Sequence, residues 1–296
     1  LMSRADVAMY GAKHRDIAHV FYDAASDPHT PERLQLSGEL RRAIENQEFV
    51  LHYQPQIDLH TRRVVGVEAL IRWQHPQRGL VEPDAFIPMA ERHGLINPIT
   101  DWVMSEALKQ CRRWRNSGRS LRVAVNMAGR SFQQPDLIDR LQEMIRSNGT
   151  PPDCLEIEIT ENVLMADIGH GAQVLQKLNE AGITITIDDY GTGYSSLAYL
   201  KKLPLHTLKI DKSFVLEMAR DENDAVIVRS TVDLAHNLGY RVVAEGVENK
   251  ETWDLLEILG CDSIQGYYSG RPMDVVQIDE WFNASPWKIG QGCVEA

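Results

Sequence analysis

The chain has 296 residues and a formal net charge of −11 at pH 7, with 31 lysines and arginines against 42 aspartates and glutamates. This length suits one α/β domain of barrel size plus a short additional segment. The negative charge disfavours long nucleic acids as partners, and no apolar stretch reaches the roughly 18 residues that a membrane helix needs, so we expect no membrane contact.

The chain begins with what reads as the end of an amphipathic helix over residues 5–13, followed by a linker over 23–31 that is rich in Pro, Asp and Ser. Apolar residues at helical spacing then predict a helix over 32–46. Two predicted strands, 49–57 and 63–72, are joined by a turn that is too short for a parallel crossover. We therefore expect these two strands to form an antiparallel hairpin.

From residue 98 onward, predicted helices alternate with predicted strands. The helices are predicted at 98–116, 134–147, 168–181, 224–238 and 250–259. The strands are predicted at 121–127, 155–160, 183–188, 207–210, 241–245 and 263–267. Alternation of this kind is typical of a parallel sheet. About eight strands in all predict an α/β fold, a TIM-like (β/α)8 barrel whose first strand is irregular and antiparallel.

The side chains of the predicted strands alternate in character. In 155–160 the residues Leu, Ile and Ile oppose Glu, Glu and Thr, and in 183–188 three isoleucines oppose Thr184, Thr186 and Asp188. The apolar face of each strand suits a layer of helices, and the polar face suits the interior of a functional barrel mouth.

Polar residues also end most of the predicted strands, where the active sites of such barrels lie. They are Glu68, Asn126, Glu158, Asp188 with Asp189, Lys209, Glu245 and Gln265. Carboxylate and amide oxygens favour Mg²⁺ or Mn²⁺ over zinc, and adjacent aspartates suit a second ion of a two-metal site that acts on phosphate esters. Lys209 either orients water and neutralises a phosphoryl oxygen, or only pairs with the neighbouring acids.

The four cysteines, Cys111, Cys154, Cys261 and Cys293, show no CxxC pairing. Scattered cysteines argue against structural zinc and indicate a reducing compartment. We therefore expect a cytoplasmic protein. Its full-length form can carry membrane or sensory domains that are not part of this sequence.

An ordered set of motifs resembles the EAL domain family of cyclic di-GMP phosphodiesterases. The motifs are Tyr53-Gln54-Pro55, Glu68-Ala69-Leu70 followed by Arg72, Asn126, the acidic segment 156–161, the segment 188–197 that begins Asp188-Asp189-Tyr190, Lys209-Ile210-Asp211, the segment 244–248, and Gln265-Gly266-Tyr267. The resemblance covers roughly residues 36–282. Tyr190, where the family usually has Phe, is a conservative departure.

This resemblance implies hydrolysis of cyclic di-GMP, a bacterial second messenger, to linear pGpG by a water that two Mg²⁺ or Mn²⁺ ions activate. It implies a first metal on Glu68, Asn126, Glu158 and Asp188, and a second on Asp188 and Asp189. It implies catalytic roles for Lys209, Glu245 and Glu68. It implies substrate contacts from Gln54, Leu70, Arg72 and Gln265.

The segment 190–197 carries two glycines, Gly191 and Gly193. The resemblance implies a mobile loop here that positions Asp188 and Asp189, contributes to a homodimer interface and is supported by Glu161 and Glu248. A simple tight turn, with Ser195 as the cap of the next helix, is equally compatible with the residues.

The resemblance also divides the chain. Residues 4–13 resemble the last helix of a GGDEF diguanylate cyclase domain, whose own motif is absent from this sequence. We therefore expect residues 1–30 to be the remnant of an upstream GGDEF-type domain and a linker, 31–285 to be the phosphodiesterase barrel, and 286–296 to be a C-terminal tail.

Two other functions stay open at this point. An EAL domain can serve as a receptor that binds cyclic di-GMP without cleaving it, although such domains usually lack a metal ligand or the lysine, and none is missing here. A barrel glycosidase would use two of these acids as acid and base and would need no metal.

Overall fold

In a computed structural model of the chain, the structure describes residues 31–192 and 200–289. The predicted helix end and linker over residues 1–30 lie outside the described residues, as do 193–199 of the predicted loop and 290–296 of the predicted tail. The described residues divide into two compact units, one made of 31–49 with Trp73–Leu95, the other of Val50–Arg72 with 96–192 and 200–289.

The strands of the described residues follow one another along most of the chain. They are β1 Phe49–Asp58, β2 Arg63–His75, β3 Gly79–Val81, β4 Arg122–Asn126, β5 Leu155–Thr160, β6 Thr184–Tyr190, β7 Thr207–Ile210, β8 Arg241–Ala244, β9 Ser263–Gln265 and β10 Lys288–Ile289.

Helices separate most of these strands. Those in the described residues are α1 Pro31–Glu45, α2 Pro83–Arg92, α3 Ile96–Asn116, α4 Gly129–Phe132, α5 Leu137–Asn148, α6 Glu161–Ala166, α7 Ile168–Glu180, α8 Lys212–Val215, α9 Glu222–Asn237, α10 Lys250–Ile258 and α11 Val275–Ala284. Several begin at a side-chain cap, since Asp221, Asn249 and Asp274 each accept a hydrogen bond from a backbone N–H of the first turn.

Eight strands of the larger unit close into a barrel. Their hydrogen-bonded order is β1-β9-β8-β7-β6-β5-β4-β2, and β1 also pairs with β2, which completes the ring. β1 runs antiparallel to β9, with Gln56 opposite Gln265, whereas the pairs from β2 and β4 round to β8 and β9 are parallel. The predicted TIM-like barrel with a reversed first strand is therefore confirmed.

The predicted alternation along the strands is visible in the packing. Ile157, Ile185 and Leu208 are fully buried core residues. Polar residues of the opposite face meet one another across neighbouring strands, as where the Thr186 hydroxyl donates to Glu156 Oε1 at 2.5 Å. The barrel thus has an apolar face under its helices and a polar interior, and the functional side chains belong to that interior.

The smaller unit has an aromatic core of its own. The Trp73 ring lies edge-on to Phe86 at 5.9 Å between centroids, and its Nε1 donates to Glu48 Oε2 at 3.0 Å. β3 and α2 of this unit were not predicted from the sequence. Pro88 lies inside α2, and a proline there argues against a helix unless tertiary packing supports it.

The chain continues beyond α11 as an ordered segment. Lys288 and Ile289 pair in parallel with Arg63 and Val64 at the start of β2. The Trp287 ring stacks on Trp281 at 6.0 Å between centroids. The predicted tail, 286–296, begins within this segment. Among the described residues no helix combines the length and the apolar character that crossing a membrane requires.

Candidate active site

The side-chain ammonium of Lys209, in the middle of β7, lies among four carboxylates. Its Nζ is 2.6 Å from Glu245 Oε1, 3.0 Å from Glu158 Oε1, 3.3 Å from Glu68 Oε2 and 3.5 Å from Asp188 Oδ1. Glu158 and Asp188 lie near the carboxyl ends of β5 and β6, Glu245 directly follows β8, and Glu68 lies in the middle of the long strand β2. The structure thus brings the predicted strand-end acids together at one mouth of the barrel.

Glu68, in the middle of β2, is held by three donors. Asn126 Nδ2 donates to its Oε1 at 2.6 Å, and Gln265 Nε2 donates to its Oε2 at 2.5 Å, beside the Lys209 ammonium. Burial alone disfavours a charged carboxylate, but Lys209 together with the two amides outweighs burial and lowers the pKa of Glu68. Glu68 is therefore an anion at neutral pH.

A row of glutamines supports this carboxylate. Gln265 Nε2 also donates to Gln54 Oε1 at 3.1 Å, and Gln56 Nε2 donates to Gln265 Oε1 at 3.0 Å. Gln54 Nε2 in turn donates to the carbonyl of Gly270 at 3.0 Å. The amide groups are thus fixed in one orientation, and they couple β1 and β9 to Glu68.

A second acidic group lies beside the first. Ligand atoms of Asp188, Asp189 and Glu245 all lie within 4.8 Å of one another. Asp189 has a backbone φ of 55°, a left-handed conformation that is uncommon outside glycine, and its N–H donates to Asp188 Oδ1 at 3.0 Å. This strained geometry turns the second aspartate toward the mouth, and such strain is frequent at functional sites.

Burial and like charges raise the pKa values of Asp189, Glu245 and Glu158. Burial, Asp188 and Asp211 raise the pKa of Asp189 to about 6. Burial raises the pKa of Glu245 to about 7 although Lys209 opposes the shift, and burial with the Glu68 charge raises the pKa of Glu158 well above its usual range. The Lys209 pKa is raised despite its burial, because the surrounding carboxylates stabilise its charge.

The donor set fits divalent cations. Both carboxylate oxygens of Glu158 are buried without a hydrogen-bond donor, although one of them lies near the Lys209 ammonium. A buried acid with unsatisfied oxygens, next to Asp188, Asp189 and Glu245, is a setting in which a hard cation can supply the missing interactions. Of the predicted ligands, Asn126 donates a hydrogen bond from its amide nitrogen to Glu68. The amide oxygen of Asn126 takes no part in that hydrogen bond.

Arg72 and Leu70, predicted to contact substrate, lie farther along β2 than Glu68. Arg72 is buried, and its Nη1 donates to the carbonyl of Ile71 at 2.9 Å. Leu70 is half-buried. Both positions follow Glu68 at even spacing on the same strand, which puts them on the face that Glu68 occupies near the barrel mouth.

The two predicted loop supports differ in their surroundings. Glu161, at the start of α6, is buried, and its Oε2 accepts a hydrogen bond from the Gly191 N–H at 3.2 Å. It therefore contacts the first residues of the predicted loop. Glu248 is exposed and has no hydrogen bond or ion pair within residues 31–192 and 200–289.

Two site residues were not predicted from the sequence. Gln56 orients Gln265 through a hydrogen bond. The sequence could have indicated this role, because Gln56 lies two residues after Gln54 and therefore on the same face of β1. Asp211 lies beside Asp189 and also caps α8, accepting a hydrogen bond from the Ser213 N–H at 3.0 Å. The capping role of Asp211 was readable from the sequence, but its contact with Asp189 depends on how β6 and β7 pair.

Comparisons with known proteins agree with this geometry. The family model for the EAL domain matches residues 37–272. The bifunctional diguanylate cyclase/cyclic di-GMP phosphodiesterase MucR of Pseudomonas aeruginosa is 42% identical over 280 residues, covering 94% of this chain and 41% of that protein. The cyclic di-GMP phosphodiesterase NbdA of the same organism is 39% identical over 254 residues, covering 86% of this chain and 32% of NbdA.

A solved structure gives the same result for the fold. The PaMucR phosphodiesterase, solved as a c-di-GMP complex, has a TM-score of 0.80 and 43% sequence identity, covering 82% of this chain and 99% of that chain. The chain spans less than half the length of the two curated relatives.

Proposed function

We propose that this chain, which belongs to the EAL domain family, is a metal-dependent phosphodiesterase that hydrolyses cyclic di-GMP to linear pGpG. The observation that carries the proposal is the convergence of four carboxylates on the Lys209 ammonium at one mouth of the barrel. The substrate is supported by MucR and NbdA, which are named as cyclic di-GMP phosphodiesterases, and by the c-di-GMP complex of PaMucR.

We assign the cations to the acids around Lys209. Glu68, Asn126, Glu158 and Asp188 hold the first ion, and Asp188 and Asp189 hold the second, with Glu245 close enough to join it. The all-oxygen donor set favours Mg²⁺ or Mn²⁺. Bound cations of this kind lower the pKa of water and neutralise phosphoryl oxygens.

The remaining groups act on the water and the phosphate. In the reaction a water oxygen forms a bond to phosphorus, the bond from phosphorus to a ribose oxygen breaks, and the departing ribose oxygen takes a proton from solvent to become a hydroxyl. Glu245, with a pKa of about 7, accepts the proton of the water, and Lys209 orients that water and stabilises charge on the phosphoryl oxygens. Arg72 grips a phosphate with its paired donors, and Gln54, Leu70 and Gln265 complete the substrate contacts.

We extend the proposal to the setting of the domain. Glu161 and Glu248 support the loop after β6, and the contact of Glu161 with Gly191 is consistent with that role. Through this loop we propose a homodimer. We also propose a GGDEF-type domain upstream of residue 31 and a barrel that ends near residue 285. Within the part of the chain that the structure describes, Cys111, Cys154 and Cys261 are not in disulfides, which fits the reducing conditions of the cytoplasm, where we place the domain.

The direct test is to incubate the protein with cyclic di-GMP and Mg²⁺ or Mn²⁺ and to separate the products. We expect pGpG with either cation and none after EDTA treatment. Tight binding without cleavage under both cations would establish a receptor instead. Cleavage of a glycoside that persists in EDTA would support a glycosidase and refute the proposal.

A further inference from the structure

The end of β6, which carries the two aspartates, bulges out of the barrel sheet. Ile187 pairs with Leu208, and the next pair is Tyr190 with Ile210, so β6 advances by three residues where β7 advances by two. The extra residue falls between these pairs, where Asp189 has its left-handed φ of 55°. A bulge re-aims a side chain but interrupts the ladder of hydrogen bonds, so its position depends on contacts from outside the sheet.

One such contact is made at Gly191, directly after β6. A Cβ built on Gly191 would lie 3.1 Å from Cε2 of Phe214, so the phenyl ring lies against the glycine backbone. The φ of Gly191 is 100°, a conformation that residues with a side chain rarely adopt. The Gly191 N–H also donates to Glu161 Oε2 at 3.2 Å. The chain two residues after Asp189 is thus held by an aromatic ring and by a carboxylate.

Phe214 belongs to the short helix α8, which also packs against the chain that follows Glu245. A Cβ on Gly246 would lie 2.6 Å from Cβ of Lys212 and 3.2 Å from its Cα. The Glu245 N–H donates to the carbonyl of Ile210, at the end of β7, at 3.1 Å. α8 and the end of the strand before it therefore fix the backbone of Glu245.

α8 lies between two ligands of the proposed second cation. Ligand atoms of Asp188, Asp189 and Glu245 are within 4.8 Å of one another, although Glu245 follows β8 and the aspartates end β6. β7 separates those two strands in the sheet, and α8 follows β7. Carboxylates that share a site repel one another, so their spacing needs a rigid support. α8 supplies contacts on both sides, through Phe214 and through Lys212.

We infer that Phe214 is a positioning residue for the second cation, because its ring, carried by α8, holds Asp189 at the distance from Glu245 at which one ion binds both carboxylates. The inference rests on the proposed function and adds to it a residue outside the proposed ligands and substrate contacts. Replacing a residue that orients metal ligands typically costs about 10–100-fold in metal affinity. Without the ring, the left-handed backbone of Asp189 is free to relax, and the second site loosens.

The test is a calorimetric titration of the metal-free whole chain with Mn²⁺, with and without pGpG. We expect two ions to bind the wild-type protein. In Phe214→Ala one Kd should rise about tenfold and the other should stay unchanged, because the first ion is held mainly from β2, β4 and β5. Phe214→Leu keeps a branched apolar side chain against Gly191, so the same Kd should rise by no more than about threefold.

Cleavage kinetics give a second measurement. In Phe214→Ala the Mn²⁺ concentration for half-maximal cleavage of cyclic di-GMP should rise about tenfold, whereas kcat at saturating Mn²⁺ should stay within about twofold of the wild-type value. Trp281→Ala is the matched control, because it also removes a half-buried ring, one that packs on Phe282 and Trp287 at 5.6 Å and 6.0 Å between centroids. Both Mn²⁺ dissociation constants should be unchanged in this control.

Two results would overturn the inference. One is a Phe214→Ala protein that binds both ions as tightly as the wild type. The other is equal weakening of both ions together with a lower melting temperature, since a ring that only stabilises the fold has no reason to act on one ion. If Phe214→Ala does not fold, Phe214→Val, which loses less packing, takes its place, and selective weakening of one ion is again the expected result.

The wild-type protein separates the positioning role from the proposed function. If it makes pGpG and the Phe214 variants bind Mn²⁺ as it does, only the positioning role is refuted. If it binds two ions without cleaving cyclic di-GMP, the proposed function fails and the titrations still decide the role of Phe214. If it binds fewer than two ions under both conditions, the positioning role is refuted, and the product assay alone decides the proposed function.

Discussion

The ammonium of Lys209 lies 2.6 Å from Oε1 of Glu245, and both groups are at the centre of the acidic mouth. A fully buried lysine is costly unless carboxylates compensate it, and here four of them do. The four carboxylates would in turn repel one another and destabilise the folded state if the lysine were absent. The site is therefore a mutually dependent charge cluster, and removing one member changes the others.

Replacing Lys209 by methionine keeps the length of the side chain and removes its charge. We expect kcat for cyclic di-GMP cleavage to fall about 10²–10³-fold with a smaller change in KM, because the ammonium acts on charge that develops during the reaction. Lys250→Met, at an exposed lysine paired with Asp254, is the control. Equal effects on kcat and KM would contradict a role in orienting water.

Glu158→Gln tests the metal site without an activity assay. In the wild-type protein we expect the melting temperature to rise when Mg²⁺ or Mn²⁺ is added, because an ion that binds only the folded state stabilises it. In Glu158→Gln this rise should shrink, since the amide is a weaker ligand. Glu156→Gln is the matched control on the same face of β5, where the side chain is held by Thr186. An undiminished rise in Glu158→Gln would remove that residue from the ligand set.

The sequence alone was sufficient to predict the barrel and the polar residues near the ends of its strands. Alternation along β5 and β6 put Glu158 and Asp188 on the inward face, and parallel strands bring their carboxyl ends together. The short turn after β1 forced an antiparallel hairpin. These features depend on local spacing and on few topological choices, which is why they were predictable.

Other features depend on which distant residues meet. The row from Gln56 through Gln265 to Glu68 joins residues that are up to 209 positions apart, and no local pattern encodes it. The left-handed backbone of Asp189 likewise depends on its surroundings, since residues other than glycine adopt this conformation uncommonly. α2 was missed for a related reason, because packing around Phe86 outweighs the unfavourable Pro88.

The stability of the barrel should depend on pH through Asp58. Burial opposes ionisation of this carboxyl, but the hydrogen bonds from Thr61 and the ion pair with Arg241 outweigh burial and lower its pKa. A lowered pKa in the folded state means that the stabilisation is complete above the unfolded value of about 3.9 and is lost as the pH falls through the folded value.

Asp58→Asn exposes this contribution. The free energy of unfolding of the wild-type protein should exceed that of the variant by about 1 kcal/mol at neutral pH. The difference should stay constant down to about pH 5 and shrink below about pH 4, as measured by urea unfolding at each pH. If the difference in free energy of unfolding persists unchanged in acid, the charge of the Asp58 carboxylate does not stabilise the barrel.

Gly266→Ala tests the close approach of the turn after β9 to the backbone of Val247. An added methyl would lie 2.2 Å from a carbonyl oxygen and 2.3 Å from a backbone nitrogen, so the turn must shift. We expect a loss of stability of about 1–3 kcal/mol and a fall in activity, because Gln265 moves with the turn. Gly169→Ala is the control, since its methyl would be 3.7 Å from the nearest side-chain atom and alanine suits a helix.

The segment beyond the region that the EAL family model matches should be needed for stability. Trp287 stacks between Trp253 and Trp281, at 6.1 Å and 6.0 Å between ring centroids, and leads into the two residues that pair with β2. Since aromatic contacts of this kind add to the burial of the rings themselves, Trp287→Ala should lower the free energy of unfolding by about 2 kcal/mol. Trp287→Phe keeps a ring and should recover part of the loss, which denaturant titration will measure. If instead Trp287→Ala unfolds at the wild-type denaturant concentration, the segment contributes nothing to the stability of the barrel.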